Sequence, residues 1–308
     1  MKGIDVTLMF VTCMAILSCS SMDNGHRLDL PLGSDGQFYT VSDGTKIFTY
    51  TFLPNNEYSK TVYILSGITG INHNREMDII NTLSGGTNRI VVIHPRGTGY
   101  SDGKRGDTND FKAILDDYIE IINSDKKSGS RILFGHSMST AMAIGISSRV
   151  ENLSGIILVN PPVKLKSSEG MTPGVGEYIK YAFYYIFALH TPIVNMAGNP
   201  ELIKNPDERK ESEERNNDPL LVKYFSMYCM FESKKLMDSM PEMAKACEQP
   251  LLLVYGREDS IIEKEGCDLL YNNWASSKKT FVCIEDGPHG KLTVIKAQEQ
   301  IRDWIAGL

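Results

Sequence analysis

The chain reads as an α/β protein: a mostly parallel sheet with helices on both faces and an inserted helical cap. Three observations carry this expectation. Short β-rich runs recur along the chain, with segments of helical periodicity between them. That alternation is the pattern of a parallel sheet covered on both sides. Runs such as Ile90-Val91-Val92-Ile93 are continuously apolar, as strands buried on both faces are. Between Pro161 and Pro250 the alternation stops, over a stretch too long for a loop in a compact domain. The composition is that of an ordinary globular protein: 308 residues, 42% hydrophobic and 23% charged. It excludes global disorder, a collagen-like repeat and a multi-span membrane protein. A net charge of −6 argues against a basic face for nucleic acid.

The elements follow in order. Residues 6–17 form a 12-residue apolar run behind Lys2. A membrane-spanning helix needs about 20 residues, so the run suits the apolar region of a secretory signal. Ile16-Leu17-Ser18-Cys19-Ser20-Ser21 follows and resembles a bacterial lipoprotein signal, cut before Cys19 and lipidated there. A plain cleaved signal and a buried N-terminal segment are the other readings. The resemblance implies an exported protein held at a membrane of the cell envelope. Residues 1–18 are thus expected to be the signal and 19–36 a polar tether. The main domain is expected over 37–160 and 250–308, and the cap over 161–249.

Residues 38–41 and 46–52 read as a hairpin around the turn Ser42-Asp43-Gly44. Strands are expected at 61–65, 90–93, 131–134, 156–159, 251–255 and 280–284. Helices are expected at 75–83, 111–122, 140–149, 263–274 and 292–305. The 111–122 helix shows apolar residues at 111, 114, 115, 118, 119 and 122, one helical face. In the cap, residues 204–218 carry ten charges in fifteen, the mark of a solvated helix or lid edge. Residues 178–189 are half aromatic, and Met227, Met230, Met237, Met240 and Met243 follow. These read as the walls of an acyl-chain tunnel, as a lid that meets lipid, or as packing against the main domain.

Chemistry gathers at three turns. The 131–134 strand runs through Gly135-His136-Ser137-Met138-Ser139 into a helix. That is the place for a sharp turn that lifts a serine hydroxyl above a sheet. A serine nucleophile needs a base, and the base an orienting carboxylate. The 251–255 strand exits into Gly256-Arg257-Glu258-Asp259, and the 280–284 strand into Glu285-Asp286-Gly287-Pro288-His289-Gly290. Parallel strands deliver their C-terminal ends to one edge, where ligands bind. Ser137 is therefore the expected nucleophile, His289 the base and Asp259 its partner, with Glu258 and Asp286 as alternative acids. The remaining histidines, among them His136 pointing inward, read as structural or solvated. Two backbone N–H groups should hold the oxyanion. Met138 supplies one, and Ile68 in Ser66-Gly67-Ile68-Thr69-Gly70 the other.

At these residues the chain resembles the α/β-hydrolase superfamily, in its monoacylglycerol lipase and lysophospholipase-like branch. Gly135-His136-Ser137-Met138 is similar to the elbow of that branch. Arg96-Gly97-Thr98-Gly99-Tyr100-Ser101 resembles its Arg-Gly-x-Gly-x-Ser loop, and Asp218-Pro219-Leu220 a cap motif. The resemblance implies an α/β-hydrolase fold and hydrolysis of medium- or long-chain acyl esters through an acyl-enzyme. A thioesterase or acyltransferase, or a serine aminopeptidase, would use the same three residues; a binding protein would not need them. No cofactor or metal is expected: no Cys-x-x-Cys occurs, and Gly97-x-Gly99-x-x-x-Gly103 is spaced wrongly for a dinucleotide loop. After cleavage, Cys229, Cys247, Cys267 and Cys283 could pair in three ways or stay as buried thiols.

Overall fold

The computed structural model describes residues 34–54, 57–70, 73–127, 129–166 and 175–308. The expected signal, Cys19 and most of the expected tether lie outside the described residues. In the first half of the chain come β1 (Ser34–Thr40), β2 (Lys46–Phe52), β3 (Lys60–Leu65), α1 (His73–Ser84), β4 (Arg89–Ile93) and α2 (Lys112–Ser124). Next come β5 (Ser130–His136), α3 (Ser139–Ile146) and β6 (Leu153–Val159). The cap holds α4 (Val175–Phe187), β7 (Val194–Asn195), α5 (Pro206–Asn216), β8 (Tyr224–Phe225) and α6 (Met227–Met243). The chain closes with β9 (Leu251–Gly256), α7 (Lys264–Asn273), β10 (Lys279–Ile284), α8 (Lys291–Lys296) and α9 (Gln298–Ala306).

Eight strands form one sheet in the order β1-β2-β4-β3-β5-β6-β9-β10. The β1–β2 and β2–β4 pairs are antiparallel, and every later pair is parallel. Side chains alternate faces along a strand, so the apolar runs feed two cores at once. In β3, Tyr63 and Leu65 pack with Tyr118 of α2 and Met142 of α3. Val62 and Ile64 pack on the other face with Ile80 of α1 and Ile301 of α9. The cap leaves the sheet after β6 and returns at β9, contributing among the described residues only the β7–β8 ribbon as strands.

Three expectations need correction. β1 begins at Ser34, so residues 34–36 pair with β2 and belong to the sheet, not to the tether. The closing helix is two helices, broken at Ala297 (φ −89°, ψ 11°). The break keeps Val294, Ala297, Ile301 and Ile305 all buried against one face of the sheet. The charged cap helix α5 is not solvated all round. Glu208, Glu211 and Ser212 are buried, because this face meets the loop that bears His289.

Candidate active site

The elbow begins with steric necessity. A Cβ on Gly135 would lie 2.7 Å from the carbonyl oxygen of Ser139 and 2.8 Å from Cα of Thr140. Only glycine lets β5 and α3 approach this closely. Ser137 then sits at φ +52°, left-handed backbone that a residue with a Cβ rarely adopts. Its N–H donates to Val159 O at 2.9 Å, and its carbonyl accepts from Thr140 Oγ1 at 2.6 Å. Ser139 fills a place where a second glycine is usual, and it has a task there. Its Oγ accepts from His136 N (2.8 Å) and donates to His136 O (3.0 Å), pinning the turn from inside.

Asp259 follows β9 and is fully buried. Its Oδ1 accepts from the backbone N–H groups of Ile261 and Ile262, each at 2.8 Å. Its Oδ2 lies 2.7 Å from Nδ1 of His289. The carboxylate is thus held from three directions, and the imidazole is fixed with Nδ1 toward it. The other two acids do not reach. Asp286 pairs with Lys296 at 2.7 Å on the surface, and that ammonium holds its carboxyl below the usual range. Glu258 is exposed.

Two further contacts gather these turns. Asn160, directly after β6, is completely buried at φ +48°. Its N–H donates to Val254 O, its Oδ1 accepts from Gly256 N at 2.8 Å, and its Nδ2 donates to Pro288 O at 3.4 Å. It joins the acid turn to the histidine loop beside Val159, which anchors the elbow. The imidazole of His136 turns inward as expected, with its Nε2 buried. Its ring centroid lies 5.3 Å from that of His289, so the elbow and the histidine loop are neighbours.

The turn after β3 faces the cap. Val222 N donates to Thr69 O at 2.7 Å, and a Cβ on Gly70 would lie 2.9 Å from Leu220 O. Among the described residues, neither the Ile68 nor the Met138 backbone N–H donates to a protein acceptor. The glycine-rich loop after β4 serves packing. A Cβ on Gly99 would overlap His94 Nδ1 at 2.0 Å, and that nitrogen accepts from Tyr100 N at 3.2 Å. Arg96 there forms a two-pronged pair with Asp117 (2.6 and 2.7 Å) and a third bond to Asp43 (2.9 Å).

Residues 57–293 match the family described as "Serine aminopeptidase, S33" (Hydrolase_4). The chain belongs to that family. Similar curated proteins include a monoglyceride lipase of Mus musculus, 24% identical over 256 residues, covering 80% of this chain and 81% of that one. A monoacylglycerol lipase of Mycolicibacterium smegmatis is 25% identical over 202 residues, covering 61% and 66%. Among solved structures, a soluble variant of the Saccharomyces cerevisiae monoglyceride lipase with a substrate analogue superposes with a TM-score of 0.74 at 14% identity. It spans 92% of this chain and 98% of that one. The monoacylglycerol lipase of Paleococcus ferrophilus gives 0.65 at 22%, over 85% and 98%. The fold of this hydrolase is therefore the α/β-hydrolase fold.

In this hydrolase the sequence-predicted residues Ser137, Asp259, His289, Met138 and Ile68 come from turns at one edge of the sheet. Such a set can perform acyl transfer through a serine. Sequence reasoning missed Asn160 and the buried carboxyls of α5. Among the described residues no group of three His, Cys, Asp or Glu is placed to hold a metal. The four described cysteines are free thiols.

Proposed function

We propose that this protein is a serine hydrolase that cleaves medium- or long-chain acyl esters of the monoacylglycerol or lysophospholipid kind. The observation that carries the reading is the 2.7 Å Asp259–His289 pair, whose imidazole lies 5.3 Å from the ring of His136, the residue directly before a serine at φ +52°. Ser137 Oγ attacks the ester carbonyl while His289 Nε2 takes its proton. Asp259 holds Nδ1–H and stabilises the imidazolium that forms. The Ile68 and Met138 N–H groups hold the oxyanion. Collapse breaks the C–O bond, and His289 returns the proton to the leaving alcohol. A water then attacks the acyl-enzyme with His289 as base, releasing the fatty acid and Ser137.

The substrate class rests on the names of the relatives and on the cap. The aromatic face of α4 does not line a tunnel. Ile179, Phe183, Ile186 and Phe187 are more than half exposed. Met230, Met237, Met240 and Met243 of α6 pack against the main core instead. Of the three readings of the cap, a lid that meets lipid is the one that suits the aromatic run. Each buried CH₂ is worth about 0.8 kcal/mol, so specificity should rise about fourfold per acyl carbon until the chain is accommodated. Esters of graded length test this. A rate that peaks at acetate and falls steadily would remove the lipid-like reading.

The family description also names aminopeptidases, and those need carboxylates to hold a substrate ammonium. Glu208 and Glu211 lie buried beside His289, which favours that reading. Each, however, already accepts a backbone N–H there, so ester cleavage stands first. Turnover of aminoacyl para-nitroanilides above that of esters would reverse the order. Export and lipid on Cys19 complete the proposal. Several acyl chains on one cysteine suffice for stable attachment.

A further inference from the structure

Helix α5 is so polar that its burial needs a cause. Its sequence is PDERKESEERN, yet Glu208, Glu211 and Ser212 face inward. The three share one helical face, at spacings of three and four. No apolar contact explains this face, because it carries no apolar side chain. What it meets is the loop that bears His289. The backbone N–H of His289 donates to Glu208 Oε1. The N–H of Lys291, the first residue of α8, donates to Glu211 Oε1 at 3.3 Å. Between them, a Cβ on Gly290 would lie 2.6 Å from Glu211 Oε2. Glycine at φ +113° lets α5 sit this close.

The contact has a cost. Glu208 is 5% exposed, and its Oε2 has no hydrogen-bond partner among the described residues. A half-satisfied buried carboxyl destabilises a fold. What it provides is an acceptor for the main-chain N–H of the histidine. The other supports of His289 come from the main domain. Asp259 fixes its ring, and Asn160 Nδ2 and Thr293 Oγ1 both donate to the preceding carbonyl, Pro288 O. Among the described residues, only Glu208 ties its own backbone to the cap, across 81 positions of sequence.

We propose that Glu208 is a positioning residue: cap helix α5 sets the main chain of His289 through it, so the base is aligned while α5 is seated. This rests on the reading of His289 as the base. Displacement of a reacting group by about 1 Å can cost on the order of 100-fold in rate. The effect belongs to turnover, not to acyl binding. Glu208→Gln and Glu208→Met separate the possibilities, being uncharged and of similar length. The glutamine carbonyl still accepts the His289 N–H, and the thioether scarcely does.

The test measures kcat and KM per titrated active site on para-nitrophenyl acetate and para-nitrophenyl laurate, with His289→Ala in parallel. We expect Glu208→Met to lose about 10- to 100-fold in kcat by the same factor on both esters, with KM changed less than about threefold. Glu208→Gln should stay within about threefold of wild type. If Glu208→Met does not fold, Glu208→Ala is read in the same way. Unchanged turnover per site in the Met variant overturns the proposal. So does a loss confined to the laurate ester, which would make Glu208 part of an acyl-binding surface. An equal loss in Glu208→Gln overturns it too, since the charge rather than the acceptor would then matter. An active His289→Ala variant would refute the base assignment itself, whatever Glu208 does.

Discussion

Asp259 is buried with both oxygens occupied, one by two backbone N–H groups and one by His289. Replacing it by Asn leaves the shape intact but stabilises the wrong imidazole tautomer. Asp259→Asn should therefore keep wild-type thermal stability within a few degrees and lose about 10³–10⁴-fold in turnover. Near-normal turnover in that variant would remove Asp259 from the site. Gly135 is a second single-residue test. Its Cβ space is taken by backbone, which cannot swing away as a side-chain tip can. Gly135→Ala should lower stability by about 1–3 kcal/mol in a denaturant titration and slow serine labelling. A third concerns thiols. Burial pushes Cys229 up to about 11, and raises Cys247 and Cys267 as well. At pH 8 only about one Cys229 thiol in a thousand is then thiolate. Native protein should leave these three unreacted with a disulfide reagent that modifies all four described cysteines after unfolding. Ser137, Asp259 and His289 could be singled out in the sequence because each lies in a glycine-marked turn within five residues of a strand's C-terminal end. Asn160 and Glu208 could not. Their partners lie 128 and 81 positions away, and neither residue breaks a local pattern.

Hydrophobic periodicity reveals helices that bury apolar faces, and it placed α1, α2 and α7 within a few residues. It is blind to α5, whose buried face is polar and is recognised only by the backbone N–H groups it meets. The same limit explains the cap's aromatic run. Composition marks residues 178–189 as apolar, but cannot say whether α4 turns that face toward the core or toward solvent. The capping of α5 gives a prediction at this scale. Asn205 Oδ1 accepts from the N–H groups of Asp207 (2.9 Å) and Glu208 (3.2 Å). Asn205→Ala should cost about 1 kcal/mol locally. Because Glu208 sits in that first turn, we expect kcat to fall with it while KM holds. A change in stability with no change in kcat would separate the helix end from the site.

The whole sheet explains why five residues from distant segments share one edge. β3, β5, β6, β9 and β10 run parallel, so the turns bearing Ile68, Ser137, Asn160, Asp259 and His289 all lie past C-terminal ends. The antiparallel β1–β2 pair closes the far side and carries none of them. At this scale the proposed lipid anchor also makes a prediction. Wild type should fractionate with membranes as a shortened species beginning at a modified Cys19, and Cys19→Ser should lose the modification. An unprocessed N-terminus in a soluble fraction would refute both the anchor and the export. The central claim is that this sheet edge forms a serine acyl-transfer site with Ser137 as nucleophile. A fluorophosphonate probe tests it most directly, read by intact mass and by mapping the modified peptide. The account predicts one adduct per chain, on Ser137, and none in Ser137→Ala. An adduct forming on Ser137→Ala at the wild-type rate would contradict it.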